Sequence, residues 1–203
     1  MKKSFQLVNI IISIINGRYM RFSLTGASGS GKTSLIEAFR KDRSNSHQYD
    51  FVTYSRPTVA AAAMGYESAR GIPQEKQWDF QVESLIEQLR SQERAGLYSA
   101  SDRNTIDFLA YLNVKTPWMK FTPQHQLYER IAVESARIFW DKIILVPSFS
   151  LNPEDNGFRF IDNPMPYENE IVSILEKHDI PYYRLKTVGL ENRYQELMEI
   201  LNL

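Results

Sequence analysis

"LTGASGSGKTSLIEAF", residues 24–39, decides how this chain is read. Three glycines, a lysine and a threonine stand between a short apolar run and a stretch with helical spacing. Gly26, Ala27, Ser28, Gly29, Ser30, Gly31, Lys32 and Thr33 fill every fixed position of G-x-x-x-x-G-K-[ST]. Glycines reach backbone angles closed to other residues, so main-chain N–H groups converge on phosphate oxygens. A helix beginning at Lys32 adds the partial positive charge of its first turn, which Ser34 shares. Lys32 offers a mobile ammonium to the β- and γ-phosphates, and the Thr33 hydroxyl is a magnesium ligand. Residues 26–34 are therefore the candidate ligands of ATP and of Mg²⁺.

The rest of the chain alternates short strand-like runs with longer helix-like ones. Strands are expected at 21–25, 49–55, 97–101, 141–149 and 181–185. Helices are expected at 32–40, 57–65, 74–96, 104–114, 123–140, 167–179 and 190–203. In the helix at 74–96, Trp78, Val82, Leu85, Ile86 and Leu89 share one face at helical spacing, and Gly96 closes it. The alternation predicts an α/β fold with about five strands in a mainly parallel sheet and helices on both faces. Ligands on such sheets bind beyond the carboxyl ends of the strands. The places to look are thus 26–33, 55–56, 102–103 and 147–159.

At the end of the third strand stands Asp102, whose carboxylate suits a magnesium-bound water or the proton of an attacking hydroxyl. Arg103 beside it suits an anionic substrate or a phosphate. Asp107 reads equally well as the residue that orients Arg103 or as a solvent-facing carboxylate. Arg56, after the second strand, reads as a substrate or phosphate contact rather than a surface arginine, with Ser55 a weaker candidate. The polar loop 150–166 joins Gly157 to Arg159, the pairing a closing lid needs: it excludes water and brings a cation to the transferred phosphoryl. Tyr54, Trp118, Phe121 and Tyr128 could stack on a base, but such rings read first as core.

Composition narrows the class. The 203 residues are enough for one domain, and 43% hydrophobic with 24% charged residues is ordinary for a globular chain. Lysine plus arginine equals aspartate plus glutamate at 24 each, so neither nucleic acid nor an acidic membrane is indicated as partner. The chain has no cysteine, which excludes disulfides and thiolate chemistry and fits the cytoplasm. Its three histidines, His47, His125 and His178, have no metal-binding spacing. Residues 1–19 pair two lysines with an interrupted apolar stretch, and read as an extra amphipathic helix or an over-long start before Met20.

Together these residues resemble the P-loop small-molecule kinases of the NadR-like AAA group, typified by ribosylnicotinamide kinase domains. The chain is more distantly similar to thymidylate and deoxynucleoside kinases. The likeness runs from Met20 to the C-terminus and rests on Gly26–Thr33, Arg56, Gln81 to Glu93, Asp102-Arg103, "IDFLAYL", Asn156-Gly157-Phe158-Arg159 and the endings "HDIPYYRL" and "ENRYQEL". The resemblance implies a three-layer P-loop NTPase fold over 20–203 with a lid at about 149–166. It also implies ATP-dependent phosphorylation of a nucleoside-like or nucleotide acceptor, with Asp102 near the magnesium and Arg159 in the lid. Where such kinases commonly carry a carboxylate after strand two, this chain has none, and Asp50 lies at the other end of that strand. Asn156 stands at the lid aspartate's position.

The expected function is a phosphotransferase in which Lys32, Asp102 and Arg159 are catalytic, Thr33 and Asp102 hold magnesium, and Arg56 and Arg103 bind the acceptor. Two rivals stay open, a regulatory nucleotide switch and a nucleotide binder without turnover. No guanine-specifying N-K-x-D occurs, which counts against a GTPase.

Overall fold

The computed structural model describes residues 20–42, 49–52, 57–67, 71–148 and 163–203. The readings placed on residues 1–19, 53–56 and 149–162 lie outside the described residues.

Strands β1 (Met20–Thr25), β2 (Asp50–Val52), β3 (Tyr98–Ser101), β4 (Lys142–Leu145) and β5 (Tyr183–Arg184) form one sheet. Their order is β2-β3-β1-β4-β5, and every pairing is parallel. Helices α1 (Lys32–Lys41), α2 (Pro57–Ala63), α3 (Gln77–Arg94), α4 (Thr105–Lys115), α5 (Pro123–Phe139), α6 (Met165–Lys177) and α7 (Leu190–Leu201) complete it. Parallel neighbours need crossovers, and the helices supply them.

The strand period of two divides the interior. Phe22, Leu24, Ile144 and Val146 face α1 and α7, meeting Leu35, Phe39, Leu197 and Leu201. Ile143 and Leu145 face the other way, into a larger core with Ile106, Leu109 and Leu112 of α4, Val133 of α5 and Ile171 of α6. The result is three layers. On that second face the fully buried residues of β1 are Ser23 and Thr25. Such small side chains let α4 come close, and the Asn104 side chain donates to Ser23 Oγ at 2.9 Å. On the first face Phe22, Phe39 and Tyr49 pack edge to face at 5.1–5.8 Å, each pair worth about 1 kcal/mol beyond its buried area.

β1 lies between β3 and β4, so the turns that follow these three strands meet at one sheet edge. The chain first builds the sheet on one side of β1 and then on the other, and the crevice at that reversal is where such sheets bind ligands.

Several expectations change. The helix expected over 74–96 is a 3₁₀ turn at Gln74–Lys76 and then α3, ending at Arg94; Gly96 lies beyond it and donates its amide to Asp50. Its deepest face is a polar stripe, Gln81, Ser84, Gln88 and Gln92, beside Leu85, while Trp78, Val82, Ile86 and Leu89 are half-buried flanks. β4 stops at Leu145 rather than 149, since the Val146 amide makes the last bond to β1, at Thr25 O, before Pro147 interrupts the ladder. Tyr128 is core, as expected. Trp118 and Phe121 are not: they stand exposed in the turn before α5, Phe121 at 87% and in a left-handed conformation. Among the described residues no helix is long and apolar enough to cross a membrane.

Candidate active site

The glycine loop leaves β1 at Gly26 and enters α1 at Lys32. Gly26, Gly29 and Gly31 all have positive φ. The requirement at Gly26 is strict: a Cβ there would lie 2.5 Å from the Val146 carbonyl oxygen. Gly31 is the N-cap of α1, so no side chain closes the amides of the first helical turn. That leaves them available to an anion.

The loop wraps around its own lysine. Lys32 Nζ donates to the carbonyls of Gly26 and Ala27 at 2.7 Å each and to Ser30 Oγ at 3.2 Å, and the side chain is 5% exposed. An ammonium so placed is fixed at the centre of the loop. Thr33 Oγ1, one residue into the helix, donates to Asp102 Oδ2 at 3.2 Å. The aspartate at the end of β3 thus meets the threonine of the loop across 69 residues of sequence, because β3 and β1 are neighbours in the sheet. Both groups are half-buried.

Helix α4 clamps the first half of the loop. Asn104 caps it in a capping box, its side chain accepting from Ile106 N while its own amide donates to Asp107 Oδ2. The other Asp107 oxygen accepts from Gly26 N at 3.1 Å. One turn further along the same helix face, Tyr111 Oη accepts from Ser28 N at 2.9 Å. Arg103 spans the two, with Nη1 3.9 Å from Asp107 Oδ1 and its guanidinium 5.6 Å from the Tyr111 ring. Tyr111 in turn stacks on Tyr167 of α6, ring centroids 4.4 Å apart.

Asp107 is fully buried, which overturns the solvent-facing alternative, and its carboxylate lies beside the Arg103 guanidinium. Burial pushes its carboxyl above the usual aspartate range, while Lys32, Arg103 and the amides of Asn104 and Gly26 pull it back toward ionisation.

The second half of the loop is held from the opposite layer. Arg193 of α7 donates from Nη1 to Ser30 O at 2.6 Å and from Nη2 to Pro147 O at 3.0 Å. Its Nε donates to Thr187 O at 3.3 Å. After β4, the Ser148 amide donates to Glu168 Oε2 of α6 at 2.7 Å, and Arg184 pairs with the other oxygen at 2.9 Å.

The structure therefore brings together residues 26–33, Asp102, Arg103 and Asp107 at one edge of the sheet. Ser34 sits exposed in the first turn of α1. Arg56, Ser55, Tyr54 and Arg159 lie outside the described residues. Reasoning from sequence missed Tyr111 and Arg193. Tyr111 had a readable signal, since it lies four residues after Asp107 on a helix that follows Asp102; Arg193 had none.

Comparison with solved structures follows the same lines. The chain superimposes on the NadR protein in complex with NR with a TM-score of 0.63, at 17% identity over 91% of this chain and 51% of that one. It superimposes on a deoxyadenosine kinase from M. mycoides with bound dATP with a TM-score of 0.57, at 12% identity over 91% of this chain and 100% of that one. A shikimate kinase from Acinetobacter baumannii in complex with shikimate gives 0.51, at 12% identity over 91% of this chain and 94% of that one.

The fold is that of the P-loop kinases. This fold is the three-layer arrangement expected, and the NadR and deoxyadenosine kinase neighbours are among the kinases the sequence resemblance names, whereas the shikimate kinase is not. The chain spans about half the length of the NadR protein it matches. No protein-family description matches the chain. No curated protein matches it by sequence. With identities this low, the likeness speaks to the fold alone.

Proposed function

We propose that the chain is an ATP- and magnesium-dependent phosphotransferase whose acceptor is a nucleoside, a nucleoside monophosphate or a related small metabolite. The single observation that carries this reading is the 3.2 Å contact between Thr33 Oγ1 and Asp102 Oδ2 beside the glycine loop. A hydroxyl and a carboxylate side by side are the oxygen donors a hard divalent cation takes, so the pair fits magnesium. When bound there, magnesium would neutralise charge on the β- and γ-phosphates.

In this reading the loop amides and Lys32 hold the polyphosphate, exchanging the loop's internal bonds for phosphate oxygens. Asp102 faces the acceptor, where it takes the proton of the attacking hydroxyl as the new P–O bond forms and ADP departs. Arg103, fixed against Asp107 and Tyr111, grips the acceptor. Arg56 and Arg159 keep the roles read from sequence, a second acceptor contact and a lid cation, as does the lid at about 149–166 in a single domain over 20–203. Catalysis then consists mainly of positioning and charge neutralisation. The nucleoside-like acceptor is the one the sequence resemblance implies, and a fold shared with a shikimate kinase as well as with NadR and a deoxyadenosine kinase is compatible with a wider class of small hydroxyl acceptors.

The test is incubation with Mg-ATP and a panel of nucleosides, nucleoside monophosphates and small hydroxy acids, following ADP release and product mass. Acceptor-dependent ADP release with a phosphorylated product is expected. Release at the same rate without any acceptor would instead make the chain an ATPase, and binding without turnover would make it a nucleotide binder.

A further inference from the structure

Arg193 stands in "ENRYQEL" with no role read from sequence, yet it is only 4% exposed and its guanidinium touches three separate turns of the candidate site. Ser30 is in the phosphate loop after β1, Pro147 follows β4, and Thr187 follows β5. The arginine comes from α7, 163 residues after Ser30. Burying a guanidinium is costly, so its placement calls for a reason. Burial depresses its pKa, while Glu196 and Glu168 nearby support its charge.

The reason lies in the peptide group it grips. A trans peptide carries its C=O and N–H on opposite sides. The Ser30 carbonyl is turned back toward α7, where it accepts from Arg193 Nη1 at 2.6 Å. The N–H of that same peptide belongs to Gly31 and is therefore turned away from α7. Gly31 is the N-cap of α1, and a Cβ on it would come within 3.1 Å of Arg193 Nη1. A cation bonded to the carbonyl draws electron density through the amide and makes the N–H a stronger donor.

We infer that Arg193 is a positioning residue of the phosphate loop: by holding the Ser30 carbonyl from behind, it orients and polarises the Gly31 amide toward a bound polyphosphate. The bonds to Pro147 O and Thr187 O fix the guanidinium plane from two further directions. A lysine, with a single nitrogen, cannot reproduce that planar fork. The inference deepens the proposed function and rests on it, since it needs residues 26–33 to bind phosphate.

The test compares the native chain with Arg193→Gln and Arg193→Lys. Binding of Mg-ATP and of inorganic triphosphate is measured by calorimetry, well below each variant's melting temperature. The Gly31 amide is followed by ¹H–¹⁵N NMR. Arg193→Gln is expected to weaken both ligands about tenfold and to move the Gly31 amide proton upfield in the ligand-free protein. Arg193→Lys, which keeps a cation, is expected to fall between the two, and it carries the same readouts if the glutamine variant does not fold. A purely structural strap predicts a lower melting temperature with unchanged affinity and an unchanged Gly31 resonance; that outcome in either folded variant overturns the inference. Failure of the native chain to bind either ligand would instead remove the nucleotide reading itself, and this inference with it.

Discussion

Thr33 and Asp102 hydrogen-bond at 3.2 Å although 69 residues separate them. The contact follows from sheet order: β3 pairs directly with β1, so the residue after one strand meets the loop after the other. If Asp102 acts on the acceptor's proton, its charge matters in the chemical step far more than in nucleotide binding. Asp102→Asn should lower turnover about 100-fold or more and shift the dissociation constant of ATP by no more than about threefold. Equal losses in both, measured by steady-state kinetics and calorimetry, would place Asp102 in binding alone.

Asp107 holds two buried amides, those of Gly26 and Asn104. Asp107→Ala leaves both without that acceptor and removes the carboxylate beside Arg103. Leaving buried donors unpaired costs about 1–3 kcal/mol each, so the variant should lose at least about 2 kcal/mol in denaturant unfolding. A loss below about 0.5 kcal/mol would mean that the loop finds other partners at no cost.

Gly26 has φ of 148° and no room for a Cβ, which would sit 2.5 Å from Val146 O. Both restrictions act on the first residue of the phosphate loop. Gly26→Ala should displace the loop from β4 and weaken Mg-ATP binding more than tenfold, beyond any loss of fold seen by circular dichroism. Native affinity in that variant would show that the loop's entry geometry is unimportant to the ligand.

Glu196 reaches back from α7 to the turn before it. Its carboxylate accepts the amides of Lys186 and Thr187 and the Thr187 hydroxyl. Burial alone would raise its pKa, but these bonds and the Lys186 charge outweigh it and hold the carboxyl below the usual glutamate range. A depressed folded-state pKa means stability that is present above the unfolded-state value, near 4.5, and is lost as pH falls through the folded-state value. The native chain should therefore lose stability on acidification below about pH 5 more steeply than Glu196→Gln. Parallel stability–pH curves for the two, read from thermal melts, would show that the turn does not depend on this carboxylate.

What could be read from sequence was what local chemistry writes locally. Glycine spacing, a lysine and a threonine before a helix mark the loop, and alternating runs mark a parallel sheet. Asp102 could be placed because ligands gather after strands. The capping box at Asn104 and Asp107 was legible in "NTID", but not that its carboxylate also takes the Gly26 amide, because that depends on which strands are neighbours. Arg193 stands in "ENRYQEL" as one polar residue of an amphipathic helix, and nothing nearby distinguishes a buried guanidinium from a solvated one. The polar stripe of α3 was hidden for the opposite reason. Its apolar residues show helical spacing, but glutamines that bond inward, as Gln92 does with Ser135, take the deeper face. Trp118 and Phe121 were misjudged because ring type was read without the turn that carries them outward.

The central claim is that residues 26–33 capture a polyphosphate around Lys32. Calorimetric titration of Mg-ATP into the native chain and into Lys32→Ala tests it most directly. Saturable binding to the native chain, lost or weakened more than 100-fold in the variant, is the predicted result. No binding to the native chain, or equal binding to both, would contradict it.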